Sequence, residues 1–248
     1  MSGAFDLARP NRPIRAGVIL MGAYVLCQTW RRPAFTEHHC SETEILDVAP
    51  IDLLYGMSKH FVKPFEDDIL TPELKAQALD FEFHWVNQFG KASSLTGGLP
   101  IQPTDDFSTC PPLDIVIMGA HQQGYVPNEA ELDFVRKSYE TCSAFITICG
   151  GFQAAFMAGL FQGKTVTAPR LMLDNLRQMA PQTEWVAKRW HRDGKLWTSG
   201  ALLNGLDLIR AFATEYWGGK GTLAEFWIGM GHFPKRDINY GDAENNYL

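Results

Sequence analysis

The run Ala144-Phe-Ile-Thr-Ile-Cys149-Gly-Gly-Phe-Gln-Ala-Ala-Phe-Met-Ala-Gly159 decides how this chain is read. A short apolar stretch ends on a cysteine, and a helix-like segment starts at once. A strand that feeds directly into a helix leaves the turn residue exposed at the carboxyl end of a sheet, with the first helical amides pointing at its sulfur. Those amides and the positive helix end favour thiolate over thiol, so the pattern predicts a nucleophilic Cys149. Gly150 and Gly151 let backbone approach a reacting atom closely.

On either side of this stretch, apolar runs alternate with helical spacing. Residues 14–21 and 113–118 read as buried strands, 81–86 as a strand with aromatic alternation, and 99–103 as a short edge strand or loop. Further strands are expected at 163–167 and 196–199. Helices are expected from near Ala49, over 129–142, 151–160, 173–179 and 184–190, and over 204–216, closed by Gly218-Gly219. Strands alternating with helices predict a mostly parallel sheet covered on both faces. No Pro, Ser or Gly-rich linker divides the 248 residues, which are read as a single domain, with 22–41 as a possible insertion after the first strand.

A 46% hydrophobic and 20% charged composition is that of a globular protein with a sizeable core. The net charge of -6, with no dense basic face, argues against nucleic acid as a partner. The apolar run 16–27 is shorter than a bilayer span and follows Asp6 and Pro10, which argues against a membrane segment. The five cysteines, Cys27, Cys40, Cys110, Cys142 and Cys149, form no metal-ligand spacing, and their odd number fits a reducing, cytoplasmic setting. His38, His39 and Cys40 lack a fourth ligand at a suitable spacing, so no metal and no cofactor is expected.

Ile148-Cys-Gly-Gly, Ala158-Gly-Leu-Phe-Gln-Gly-Lys-Thr-Val-Thr167, Asp193-Gly-Lys-Leu-Trp-Thr-Ser-Gly-Ala-Leu-Leu-Asn-Gly-Leu-Asp207 and Leu46-Asp-Val-Ala-Pro50 occur in that family's order in chains of the ThiJ/PfpI type. On these motifs the sequence resembles the ThiJ/PfpI family of the type 1 glutamine amidotransferase-like superfamily, nearest to its isonitrile hydratase branch. The resemblance implies an α/β fold, a flavodoxin-like three-layer sandwich with a nucleophile elbow, and a homodimer. It also implies a carboxylate beside the cysteine, which places Asp47 with Cys149 as the catalytic pair. Family members with a Cys-His triad carry histidine after the nucleophile, where this chain has Gly150. A second position that supplies histidine in many relatives is occupied by Ala168-Pro169.

The expected reaction is a cofactor-free lyase step of isonitrile-hydratase type on a small molecule. Cys149 would attack the carbon and Asp47 would protonate it or deliver water, with Gly119, Ala120, Gly150 and Thr198 binding the substrate. Two alternatives stay open. One is a glyoxalase III or deglycase on α-oxoaldehydes, for which His121 is the best-placed histidine although it reads as a solvated loop residue. The other is a non-catalytic redox or ligand sensor, or a chaperone. Asp207 and Arg170 read as helix-surface and solvated residues, and the tryptophans at 185, 190, 197 and 217 as core or dimer surface.

Overall fold

A computed structural model of the protein describes residues 5–22 and 42–242. The proposed insertion at 22–41 therefore lies, Gly22 apart, outside the described residues, as do His38, His39 and Cys40.

The centre is a seven-stranded sheet in the order Trp190–Asp193, Leu196–Ser199, Ala144–Ile148, Ile115–Met118, Ile14–Ile19, Phe81–Asn87, Asp105–Asp106. Neighbours run parallel except the first pair, which is antiparallel. The apolar runs are continuous because successive side chains enter opposite cores. Ala16, Val18, Ile115, Ile117, Ile146 and Ile148 face a core shared with helices Ile51–Gly56, Asn204–Trp217 and Leu223–Met230. Ile19, Val116, Met118 and Phe145 face the other, against helices Glu129–Thr141, Phe152–Met157 and Leu173–Met179. These three layers are the expected flavodoxin-like α/β sandwich. From Ile14–Ile19 the chain first builds to one side, through Phe81–Asn87, and returns on the other at Ile115–Met118. The resulting change of direction opens a crevice at the carboxyl ends of the central strands, where ligands of such sheets bind.

Several elements differ from the sequence expectation. Residues 184–190 are not helical. Glu184–Trp185 pairs with Thr165–Val166 in a separate two-stranded sheet, and Trp190–Asp193 forms a hairpin with Leu196–Ser199. The turn between them carries Gly194 at φ 62, and a glycine at the first position of a two-residue turn is the local hairpin signal. Leu99–Ile101 is, as expected, a short edge strand, in a small sheet with Glu42–Thr43 and Ser93–Leu95. The helix expected near Ala49 begins earlier, as Ile45–Val48, and restarts as Ile51–Gly56 after Pro50, which has no amide to donate. The helix Leu223–Met230 was not anticipated, although Thr222 caps it by accepting from the Glu225 amide. Trp185, Trp190, Trp197 and Trp217 all pack in aromatic clusters. Among the described residues no helix is long and apolar enough to cross a membrane.

Candidate functional site

Cys149 stands where its strand ends. The strand Ala144–Ile148 passes into a single tight turn, Cys149–Gly151, and then into Phe152–Met157. Its backbone φ of 53 is left-handed, a strained conformation for a residue with a side chain. The neighbouring strand ends in Gly119 and Ala120. A Cβ on Gly150 would lie 2.8 Å from that of Ala120, so the two strand ends touch at the site.

The short helix Ile45–Val48 delivers Asp47 to the same point. Asp47 is fully buried, and its Oδ2 accepts from the Ala120 amide at 2.7 Å. A Cβ on Gly119 would come within 2.7 Å of the Asp47 Cβ, so only glycine leaves room for the carboxylate. Glu44 completes the group. Donor atoms of Glu44, Asp47 and Cys149 all lie within 4.8 Å of one another, close enough, among the described residues, to share a metal ion. Glu44 is half-buried and its own amide is tied to the Ala120 carbonyl. Sequence reasoning missed it; its only signal was a position three residues before Asp47, one helical turn away.

The electrostatics reverse part of the expectation. Burial, then the charge of Asp47, push the Cys149 thiol up to about 12, while the Gly150 and Leu202 amides act in the opposite direction and are outweighed. The amide effect read from the elbow is present, but a short turn cannot offset desolvation beside two carboxylates. Asp47 is itself raised to about 7, chiefly by burial and then by Glu44, against the lowering effect of the Ala120 hydrogen bond. Its Oδ1 has no hydrogen-bond partner, an acceptor left open in the site.

The remaining predicted residues divide. Gly119 and Gly150 are at the site, but the Ala120 amide is taken by Asp47 and is not an open substrate donor. Thr198 is buried and its Oγ1 accepts from the Thr167 amide at 2.9 Å, which ties it to the adjacent segment instead of offering it to a pocket. His121 is not solvated: it is buried, its ring packs against Tyr125, and burial lowers its pKa. Asp207 is buried in an ion pair with Arg236, not on a helix surface, and Arg170 lies over the ring of Tyr240. A cavity of about 700 Å³ opens elsewhere, at the amino ends of the strands beside Phe5, Asp114 and Lys195, and has no part in this constellation.

The model of the DJ-1/PfpI family matches residues 68–215, a span that includes Cys149 and leaves Asp47 and Glu44 outside. The isonitrile hydratase of Pseudomonas putida is 32% identical over 151 residues, which are 60% of this chain. The match spans 65% of that relative's length. Among solved structures, a ThiJ/PfpI family protein from Pseudomonas syringae superposes with a TM-score of 0.61 at 18% identity, covering 93% of this chain and 79% of its own. An AraC family transcriptional regulator from Pseudomonas putida gives 0.60 at 13% identity, covering 88% of this chain and 99% of its own. At such identities the structures speak for the fold alone. A family match over more than half of the sequence, on a fold with this elbow, makes the chain a member of the DJ-1/PfpI family.

Proposed function

We propose that the protein is a cysteine-dependent lyase that adds water to a small carbon electrophile, an organic isonitrile in the first instance. The observation that carries this reading is the pairing of Cys149 with a buried carboxyl. The two groups that act on its thiol by charge are Asp47 and Glu44, both carboxylates. A terminal isonitrile carbon is a nucleophile and an electrophile at once, and needs a proton as much as it needs a thiolate. A carboxyl held protonated by burial is a suitable acid.

The steps balance within the pair. The Cys149 sulfur bonds to the terminal carbon while Asp47 gives its proton to that carbon, leaving a thioimidate. Water adds to the same carbon, its proton passing through Asp47 to the nitrogen. The carbon–sulfur bond then breaks, thiolate leaves, the hydroxyl proton returns to Asp47, and an N-substituted formamide departs.

Turnover of an aryl isonitrile and of methylglyoxal by wild type and Cys149→Ala tests the reading, with formamide and lactate followed separately. Formamide from wild type, lost by at least about a thousandfold in the variant, is expected. Lactate instead of formamide would transfer the assignment to a glyoxalase. Neither product would leave a non-catalytic role.

A further inference from the structure

The segment 233–242 runs back from the last helix across the carboxyl end of the sheet, with no helix or strand of its own. Two arginines fasten it. Arg236 donates from its amide and Nε to Asp207 at 3.0 Å each, with Nη2 on the Leu203 carbonyl at 2.9 Å. Arg189, almost fully buried, donates from its amide to the Ile238 carbonyl at 2.8 Å and from Nη1 to Asp237 and Asp242. Tyr240 is held between Arg170 and Arg189, each guanidinium within 4.8 Å of its ring centroid, at a left-handed φ of 62.

What this strap holds is the turn 200–204. Ser199 pairs with Ile148, so Gly200 and Cys149 are the next residues of two adjacent parallel strands. The Tyr240 hydroxyl accepts from Asn204 Nδ2 at 2.6 Å. A Cβ on Gly200 would lie 2.9 Å from the same oxygen, so Gly200 is the opening through which the tyrosine reaches the strand end. Tyr240 therefore grips both ends of a turn that lies against the Cys149 elbow: a Cβ on Gly205, the residue after it, would come within 2.9 Å of Ile148 Cγ2, and the Leu202 amide in its middle acts to lower the Cys149 pKa. Arg236 fixes the same turn from the outside through Leu203.

We propose that the 233–242 strap positions the nucleophile: Tyr240 and Arg236 lock the 200–204 turn against the end of the strand that carries Cys149. This rests on Cys149 being the reactive group of the site. Tyr240 is a positioning residue, because it acts through Asn204 and the turn. Asp47 and Glu44 are the charged groups that act on the thiol, and neither belongs to the strap.

The test is the rate of iodoacetamide alkylation at Cys149, followed by peptide mass spectrometry across pH in the full chain. Wild type, Tyr240→Phe and Tyr240→Ala are compared, with melting temperature measured alongside. Tyr240→Phe keeps the ring between the arginines and removes only the hydroxyl, so folding is retained. A profile displaced to higher pH is expected, with the rate near neutrality falling about threefold, the thiolate fraction lost for half a pH unit. A lowered melting temperature with the profile unmoved in both variants would reduce the strap to a structural brace. A faster reaction would mean that it shields the cysteine, and also overturns the proposal. Wild-type Cys149 that resists alkylation throughout would remove the nucleophile and both readings with it. Because no isonitrile is involved, failure of formamide formation leaves this result intact, and the two ideas are judged separately.

Discussion

At Asp47 the proposed reaction and the stability of the fold draw on the same proton. Its pKa is raised from 3.8 to about 7 in the folded chain. The unfolded chain thus loses the proton first, and stability falls as pH rises through that window and stays low above it. Asp47→Asn has no such loss. The variant is expected to match wild type near pH 4 and to exceed it by on the order of 2–4 kcal/mol above about pH 7, the upper figure being the whole shift. Urea unfolding at the two pH values checks this. The same substitution should lower formamide turnover by roughly a hundredfold or more, since the acid is gone. Cys149 carries a different strain. Cys149→Gly relieves the left-handed conformation and is expected to gain about 1 kcal/mol in urea unfolding while losing turnover. Both residues were legible as a pair from motif order, whereas Glu44 and Tyr240 were not. Their place in the site depends on contacts between segments far apart in the chain.

At the scale of elements, the strands were easier to read than their partners. A run such as Ala144-Phe-Ile-Thr-Ile148 is buried on both faces, and its composition announces that. Two-residue strands such as Thr165–Val166 and Glu184–Trp185 leave too short a pattern to be read. The hairpin turn at Gly194 settles the strand before it locally. Gly194→Ala should cost about 1 kcal/mol from its positive φ alone, because a Cβ there meets no atom within 4 Å. Formamide turnover unaltered by Gly194→Ala, with a lowered urea midpoint, would confirm a purely conformational role. The strap is the opposite case. It has no periodicity, and the buried Asp207 that receives Arg236 read as a surface residue until the tertiary contact was seen.

For the whole molecule, the coupled site predicts its own pH dependence. The active arrangement holds one proton between Cys149 and Asp47, whether written on sulfur or on oxygen, so the pair titrates as a unit. With Asp47 at about 7 and the thiol at about 12, that singly protonated state dominates between them. Turnover should rise tenfold per pH unit below about 7 and then level off. A rate that kept rising through pH 9 would mean that thiolate alone limits the reaction. A rate that declined above 7 would mean that the Asp47 proton does.

The sequence by itself determined the layered α/β fold and the elbow on which Cys149 stands. These are encoded locally, in apolar runs of strand length and in a cysteine followed by two glycines. Only the tertiary structure decided the ionisation of the site, because burial and the approach of two carboxylates depend on how remote segments pack. It also decided which amides remain available at the site, since that of Ala120 is taken by Asp47. Hydrogen bonds of this kind form between segments that no spacing in the chain connects.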